Sequence, residues 1–316
     1  MADSSPHWSR IAESGTVLGM RILLLIYRVF GRWGFRIGLF PVISYYFLSR
    51  KQARQASKQY LQRLSDTYPD LGQLSSFRHF LMFGDILLDK LLAWSGHINL
   101  DDISFVSDGL FEQALEQQQG GIIVVSHLGN TEVSNALAHQ QPGLRLTLLV
   151  YTQHAEKFNA LMKKMGASDQ IEMYQVTEMS PAFAMLMSER VEAGEYLVIA
   201  GDRTPVTGQQ RVSEVDFLGE KAALPQGAFI LASLLKCPVF LMFCLKHEQR
   251  YQIHIEQFAT RIEASRKQRT AIIQQAQQRY ADRLAAHAYL APLQWFNFYP
   301  FWTSSTASTE NNEESQ

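Results

Sequence analysis

The sequence from residue 120 to residue 132 reads Gly120-Gly121-Ile122-Ile123-Val124-Val125-Ser126-His127-Leu128-Gly129-Asn130-Thr131-Glu132. An apolar, β-branched run follows a glycine pair and leads to a histidine, which predicts a buried strand of a parallel sheet. Ligands bind at the carboxyl ends of such strands, so His127 stands where chemistry is expected. A turn follows, and a cap at Asn130 or Thr131 predicts a helix that continues to Ala138.

The spacing of His127 and Glu132 suggests a general-base pair. On one continuous helix the two side chains would lie roughly 140° apart, but a strand–turn–helix corner lets the carboxylate fold back toward the imidazole. A carboxylate in that place orients the histidine and stabilises the imidazolium. A histidine that ends a strand, followed by a glutamate favoured by a helix N-terminus, explains the same residues without catalysis. The pattern alone does not choose between the two interpretations.

Strands and helices alternate along the rest of the chain. Apolar strands are predicted at 144–151, 171–176, 196–200 and 238–245, an edge strand at 251–258, and helices at 51–67, 76–94, 154–165, 181–192 and 261–290. Residues 206–215 are predicted to form a loop beside the site. We therefore expect an α/β fold with a mainly parallel central sheet and helices on both faces.

Asp202 and Arg203 follow the predicted strand at 196–200, at the sheet edge that also carries His127. The guanidinium suits a phosphate or a developing oxyanion, and the carboxylate suits fixing either Arg203 or the acceptor. A turn in which the two side chains only pair with each other fits the sequence equally well.

A later helix start offers a further anion site. Free backbone N–H groups at residues 226–228 would suit a phosphate or an oxyanion. Pro225 at a helix start and a close-packing Gly227 explain the same residues without a ligand.

Composition limits the class of protein. The chain has 316 residues, is 47% hydrophobic and carries a net charge of −1, which suits one large core and gives no basic field for nucleic acid. Cys237 and Cys244 lie in an apolar stretch and are predicted to be core residues in a reduced, cytosol-facing compartment.

The segment from residue 15 to residue 65 has no acidic side chain. Basic residues recur there among apolar and aromatic runs, at Arg21, Arg28, Arg32, Arg36, Arg50, Lys51, Arg54, Lys58 and Arg63. Neither apolar run reaches the ~20 residues of a spanning helix. We expect a helical segment that lies in the headgroup layer of a membrane. A shallow re-entrant hairpin, or an amphipathic helix packed on the protein's own core, fits the same pattern.

Four segments follow from these observations. Residues 1–14 are a flexible N-terminus, 15–65 the basic apolar segment, 66–302 the α/β domain, and 303–316 an acidic tail predicted to be disordered.

Several blocks resemble one family when taken in order. The residues from His127 to Glu132 resemble the H-x4-D/E box of the lysophospholipid acyltransferase superfamily, and are most similar to the branch that contains the bacterial lipid A lauroyl and myristoyl acyltransferases. Phe217-Leu218-Gly219 with Pro225-Gln226-Gly227 resembles the F-x-G and P-x-G block of that branch, and Pro292-Leu293-Gln294-Trp295-Phe296 resembles its Q-W terminus.

Two departures from the family pattern indicate a sister branch. The family usually places an aromatic residue after the catalytic histidine, where this chain has Leu128. It also tends to carry an arginine after the next strand, where this chain has Gln153 and His154. The acceptor therefore stays open between lipid A, other lipids and glycolipids.

The resemblance implies a membrane-associated O-acyltransferase of glycerol-phosphate-acyltransferase-like fold on the cytoplasmic face of a bacterial inner membrane. Its donor would be a thioester of acyl carrier protein or coenzyme A, its acceptor a lipid or glycolipid hydroxyl, and neither metal nor cofactor would be needed. The implied base is His127 and its partner Glu132. Substrate contacts are implied for Asn130, Asp202, Arg203, Phe217, Gly219, Gln226 and Gly227.

Two other functions fit the same sequence. A thioesterase would use the same pair with water as the acceptor, and a non-catalytic membrane-binding protein would need only the N-terminal segment. A serine hydrolase would need a G-x-S-x-G elbow, which the sequence lacks.

Overall fold

The computed structural model describes residues 17–94, 97–98, 100–138, 141, 143–150, 170–176, 180–203, 211–248, 250–265 and 267–302. The predictions for residues 1–14, the helix at 154–165, the first part of the loop at 206–215 and the tail at 303–316 lie outside the described residues.

The strands form a large central sheet and a separate hairpin. They are β1 (Ile103–Ser107), β2 (Gly121–Val125), β3 (Leu146–Val150), β4 (Ile171–Gln175), β5 (Tyr196–Ala200), β6 (Val212–Phe217), β7 (Glu220–Pro225), β8 (Val239–His247) and β9 (Arg250–Ala259). Within the described residues, the central sheet has seven strands in the order β1-β9-β8-β2-β5-β3-β4. Among these strands only β8 and β9 are antiparallel neighbours, so the predicted mainly parallel α/β fold is confirmed.

Helices cover both faces of this sheet. They are α1 (Val17–Ser49), α2 (Lys51–Thr67), α3 (Ser76–Trp94), α4 (Leu110–Glu116), α5 (Thr131–Ala138), α6 (Pro181–Glu192), α7 (Gly227–Leu235) and α8 (Arg269–Leu290), with short 3₁₀ turns at Pro69–Leu71 and Leu100–Asp102. Helices α2, α3 and α6 begin and end where the sequence predicts, and Ser180 caps α6 by accepting from the N–H of Phe183.

Strand β2 lies in the middle of the sheet, and all of its residues are buried. Ile122 and Val124 pack into the core that is shared with α2, α6, α7 and α8. Ile123 and Val125 pack into the opposite core, which is shared with α1, α3, α4 and α5. Burial on both faces explains why the strand reads as a continuous apolar run rather than an alternating one.

Three sequence-based predictions are wrong. Residues 212–215 belong to strand β6 of a hairpin with β7 rather than to a loop, and the exposed Val212 and buried Ser213 hid the alternation. Strand β9 is not an edge strand, because it pairs with both β8 and β1, and β1 forms that edge of the sheet. Helix α8 begins at Arg269 instead of residue 261. Cys237 and Cys244 are buried and unbridged, as predicted for core residues.

Helix α1 has two apolar faces and a break at Gly31, where φ is 67°. Phe35, Leu39 and Ile43 are buried in the core that also contains residues of α3. The opposite face is exposed to solvent although it is apolar: its residues are Leu25, Val29, Phe30, Trp33, Ile37, Phe40, Tyr45 and Leu48. Part of the N-terminal segment is therefore integrated into the core.

Arg32 and Arg36 of α1 form ion pairs with the body of the domain, although the Arg36 side chain is still 51% exposed. The guanidinium of Arg36 donates to both carboxylate oxygens of Asp85, each at 3.1 Å. Arg32 Nη1 lies 2.6 Å from Asp89 Oδ1. Both carboxylates belong to α3, so these ion pairs fasten α1 to the body of the domain.

Lys246 of β8 completes this buried charge cluster. Its side chain is 2% exposed, and its ammonium contacts both Asp85 and Asp89, the latter at 2.6 Å. Tyr251 also donates to Asp89 at 2.6 Å. Arg32, Arg36 and Lys246 thus surround the two carboxylates, and α1 supplies two of these three cations.

Removing one carboxylate from this cluster should destabilise the fold strongly. Asp89→Asn leaves Arg32 and Lys246 without a full counter-charge in the interior, and breaking a buried pair costs about 3–5 kcal/mol. We expect a clear loss of unfolding free energy in urea denaturation. The control is Asp216→Asn, which removes an exposed partner of Lys221 and should change the midpoint little. Equal stability of the two variants would contradict this account.

Candidate active site

The register of two neighbouring strands brings His127 and Asp202 together. Val125 at the end of β2 pairs with Ala200 at the end of β5, and each candidate residue follows two positions later. His127 Nδ1 lies 2.8 Å from Asp202 Oδ1. The backbone N–H of His127 donates to Asp202 Oδ2, also at 2.8 Å. The two side chains therefore form a dyad at the carboxyl ends of the strands.

Gly201 lets the chain pass closely between β2 and α8. A Cβ atom at this position would lie 2.8 Å from Val124 Cγ1 and 2.9 Å from Tyr280 Cζ. A larger residue would have to push one of these groups aside. Because Gly201 directly precedes Asp202, this close approach also fixes the backbone position from which the Asp202 side chain extends.

The electrostatics of the dyad favour a neutral imidazole beside an ionised carboxylate. Burial lowers the pKa of His127, and the nearby charge of Arg203 lowers it further. Burial acts to raise the pKa of Asp202, but the hydrogen bonds from His127 and the charge of Arg203 hold it below its usual value. With Asp202 accepting from Nδ1–H, the lone pair of Nε2 remains available as a base.

Access to this base differs from access to its partner. The His127 side chain is 34% exposed, whereas that of Asp202 is 1% exposed. A reactant can therefore reach the imidazole, while water is kept from the carboxylate that orients it.

Asp202, and not Glu132, makes the hydrogen bond at Nδ1 of His127. Glu132 Oε1 lies 2.7 Å from Lys90 Nζ of α3. Strand β5 lies directly beside β2, so the carboxylate that follows β5 is the one that meets Nδ1. The catalytic role that the resemblance implies for Glu132 stays a prediction.

Lys90 is a residue of this region that the sequence analysis missed. Its side chain is partly exposed, and its positive charge contributes to the lowered pKa of His127. The only signal in the sequence was a basic residue near the end of the apolar stripe of α3. That signal is too common to identify a site residue.

Asn130 supports the turn after β2 from inside the protein. Its backbone N–H donates to Cys244 O at 2.8 Å. Its buried amide donates to Ile86 O and to Tyr251 Oη, each at 3.3 Å. Both amide hydrogens are directed at protein atoms, so Asn130 supports the turn, and its predicted substrate contact stays a prediction.

Gly129 in the same turn has φ 77°, and an added Cβ would lie 1.9 Å from Cys244 O. The turn thus requires glycine at this position for two reasons, the left-handed backbone and the close approach to β8.

Arg203 lies beside the dyad and is held by the C-terminal segment. Its Nη2 donates to Phe296 O at 2.6 Å, and its guanidinium carbon lies 5.8 Å from the centre of the Tyr299 ring. Burial lowers the pKa of the guanidinium, which still carries its charge at neutral pH. Arg203 is therefore a fixed cation near His127.

The residues of the β6–β7 block have contacts within the protein. Phe217 is buried among aromatic rings, including Trp295 at 5.3 Å and Trp302 at 5.8 Å. Gly219 (φ 79°) is exposed in the hairpin turn. Gln226 Nε2 donates to Ser213 Oγ at 2.9 Å and closes the hairpin. The substrate contacts predicted for these three residues stay predictions.

Gly227 begins α7, and the predicted anion contact there stays a prediction. The far end of α7 leads to Pro238, whose carbonyl accepts from the N–H of Ile122 at the start of β2. The end of α7 therefore lies at the edge of the sheet where β2 starts, and the helix begins toward the opposite edge, where β2 ends and His127 follows.

The C-terminal Q-W segment lies directly against the turn after β2. Leu128 and Trp295 form an antiparallel bridge. The N–H of Gly129 donates to Gln294 O at 2.9 Å, and the N–H of Phe296 donates to His127 O at 3.1 Å. Residues 294–296 thus act as a short strand that holds the backbone of the site. This contact joins residues that are far apart in the sequence.

Comparison with known proteins places these residues in a family. The model of the family described as bacterial lipid A biosynthesis acyltransferase matches residues 91–304, which is more than half of the chain. The match contains His127, Asp202 and Trp295, and it begins after α1, α2 and most of α3. A search of curated proteins finds no match. The chain belongs to the bacterial lipid A biosynthesis acyltransferase family.

Proposed function

We propose that this protein is a membrane-associated O-acyltransferase that moves a fatty acyl chain from a thioester of acyl carrier protein or coenzyme A to a hydroxyl of a lipid or glycolipid. The family membership supports an acyltransferase that acts on lipid. The observation that carries the proposal is the 2.8 Å hydrogen bond from His127 Nδ1 to buried Asp202, with the imidazole accessible from outside. This arrangement is that of a general base.

The reaction uses the imidazole as a proton shuttle. Nε2 of His127 accepts the proton of the acceptor hydroxyl as its oxygen attacks the thioester carbonyl. Asp202 stabilises the imidazolium that forms. The tetrahedral intermediate collapses by breaking the carbon–sulfur bond, and the imidazolium protonates the departing thiolate. The products are an ester and a free thiol, and positioned proton transfer of this kind contributes roughly 10²–10⁴ in rate.

Charged groups around the dyad suit the remaining parts of the substrates. The Arg203 guanidinium is fixed beside His127 and suits the oxyanion of the tetrahedral intermediate or a substrate phosphate. The backbone N–H groups at the start of α7 suit an anion as well. Lys90 and Glu132 are both partly exposed and offer a donor and an acceptor to hydroxyls of the acceptor.

Helix α1 suits the surface of a membrane. Its outer face is apolar and exposed, with Trp33 at 75% exposure. Within the parts of the chain that the structure covers, no helix is both long and apolar enough to cross a bilayer. We infer that α1 lies in the interface on the cytoplasmic side of a bacterial inner membrane, with these apolar side chains in the lipid and flanking basic residues at the headgroups.

Replacing the dyad residues should separate the two candidate carboxylates. We expect His127→Ala to abolish acyl transfer and Asp202→Asn to lower its rate by roughly 10²–10⁴, because the imidazole loses its orientation and its counter-charge. Glu132→Gln is the matched control and should cost far less. The assay supplies radiolabelled thioesters of acyl carrier protein or coenzyme A to membranes containing each variant. Label is counted in the extracted lipids, and mass spectrometry identifies the labelled lipid.

Other outcomes of this experiment are informative. A loss from Glu132→Gln as large as that from Asp202→Asn would restore Glu132 as the partner of His127. Label released as free fatty acid would favour a thioesterase. Absence of any His127-dependent label, across several chain lengths and both thioester donors, would favour a non-catalytic membrane-binding protein.

The same assay should show activity that persists into mildly acidic pH. The base must be neutral to act, and the pKa of His127 is lowered from the ordinary value of 6.5 by burial and by Arg203. The acid limb of the rate profile should therefore lie below pH 6.5. An acid limb at or above that value would contradict the described environment of the imidazole.

Membrane binding should depend on the outer face of α1. We expect the double variant Trp33→Asp, Ile37→Asp to lose most of its flotation with anionic phospholipid vesicles, because each apolar side chain contributes about 1.5–3 kcal/mol on leaving water. Phe105→Asp is the control, since Phe105 is also exposed but lies on β1. Equal flotation of both proteins would rule out α1 as the binding surface.

A further inference from the structure

We propose that Trp295 is a positioning residue of the dyad, whose indole N–H holds Asp202 in the orientation that engages both N–H groups of His127. The proposal rests on the proposed function for its kinetic consequence, but its geometric content stands on the contacts alone. Trp295 does not reach the reacting atoms. It acts through the carboxylate.

The two oxygens of Asp202 have separate partners. Oδ2 accepts from the indole Nε1 of Trp295 at 2.9 Å and from the backbone N–H of His127 at 2.8 Å. Oδ1 is thereby left facing Nδ1 of the imidazole at 2.8 Å. The terminal torsion of an aspartate is soft, so a buried carboxylate needs a second fixed donor to keep this assignment.

Trp295 is itself held rigidly. Its side chain is fully buried, with its ring centre 5.0 Å from that of Tyr60. Its carbonyl oxygen lies 3.1 Å from Nε2 of buried His79. The backbone of the same segment pairs with the turn that carries His127. One short strand therefore fixes both members of the dyad.

Loss of the indole donor should shift the pKa of His127 in a defined direction. His127 is faced by Asp202, Arg203 and Lys90, and Asp202 is additionally faced by Tyr280 and Tyr299. These groups remain when Trp295 becomes phenylalanine. The variant lacks the donor that holds Oδ2 of Asp202, so the carboxylate is free to turn Oδ1 away from Nδ1. Because the charge and the hydrogen bond of Asp202 raise the pKa of His127, that pKa should fall further when the contact is weakened.

The chain offers a matched control in Trp302. Its indole is also buried in the C-terminal segment and also packs on Phe217, but its Nε1 donates to Phe217 O at 3.2 Å instead of to Asp202. Trp302→Phe removes the same indole N–H and a comparable amount of buried surface. Any effect that comes from packing alone should appear in both variants.

The test compares Trp295→Phe and Trp302→Phe in the full-length chain. Nitrogen-15 NMR of histidine-labelled protein, with His127 assigned through His127→Ala, reports its tautomer and titration without any substrate. We expect only Trp295→Phe to lower the titration midpoint of His127 and to increase the fraction protonated at Nε2. In the acyl-transfer assay it should lower kcat by about 10- to 100-fold with KM unchanged, while Trp302→Phe should not.

Two results would overturn the proposal: an unchanged His127 titration in folded Trp295→Phe, or identical shifts in the two variants. An Asp202→Asn background gives a further check, because there the added loss from Trp295→Phe should shrink to less than about two-fold. If the NMR shifts occur but no variant and no wild-type protein transfers an acyl chain, the positioning role stands and the proposed function falls.

Discussion

The buried carboxylate of Asp202 places the strongest physical demand on this structure. A charged group that is almost fully removed from water must be hydrogen bonded from several directions. Here the donors are the backbone and imidazole of His127 and the indole of Trp295. These residues come from the end of β2, the end of β5 and a segment near residue 295. The fold must therefore close completely before the site can exist.

Two further buried carboxylates also need counter-charges, and helix α1 supplies some of them. Asp85 and Asp89 are buried, and Arg32 and Arg36 of α1 supply part of their counter-charge. The family match begins at residue 91, so this interaction lies largely outside it. The cluster also reaches the site, because Tyr251 contacts both Asp89 and Asn130. The helix that we propose to lie on a membrane is thereby packed against the domain that carries the dyad.

The sequence predicted most of the secondary structure because the signals were local. The run of residues 121–125, the Ser180-Pro181 helix start and the apolar stripe of α3 each lie within one element, and each was placed correctly. Strand β1 was missed because its residues are mostly exposed. Strands β6 and β7 were missed because the exposed Val212 and buried Ser213 break the alternation in β6, and two adjacent polar residues, Glu220 and Lys221, begin β7.

The sequence by itself determined the α/β class and the placement of His127, Asp202 and Arg203 at strand ends. Hydrophobic periodicity and the turn residues that end a strand depend only on neighbouring residues. Only the tertiary structure decided which carboxylate meets the imidazole. That choice depends on the order β2-β5 and on the pairing of Val125 with Ala200, and both are set by packing between distant segments. Packing between distant segments also decides three further contacts. The amide of Asn130 donates to Ile86 O, Lys90 pairs with Glu132, and the indole of Trp295 donates to Asp202.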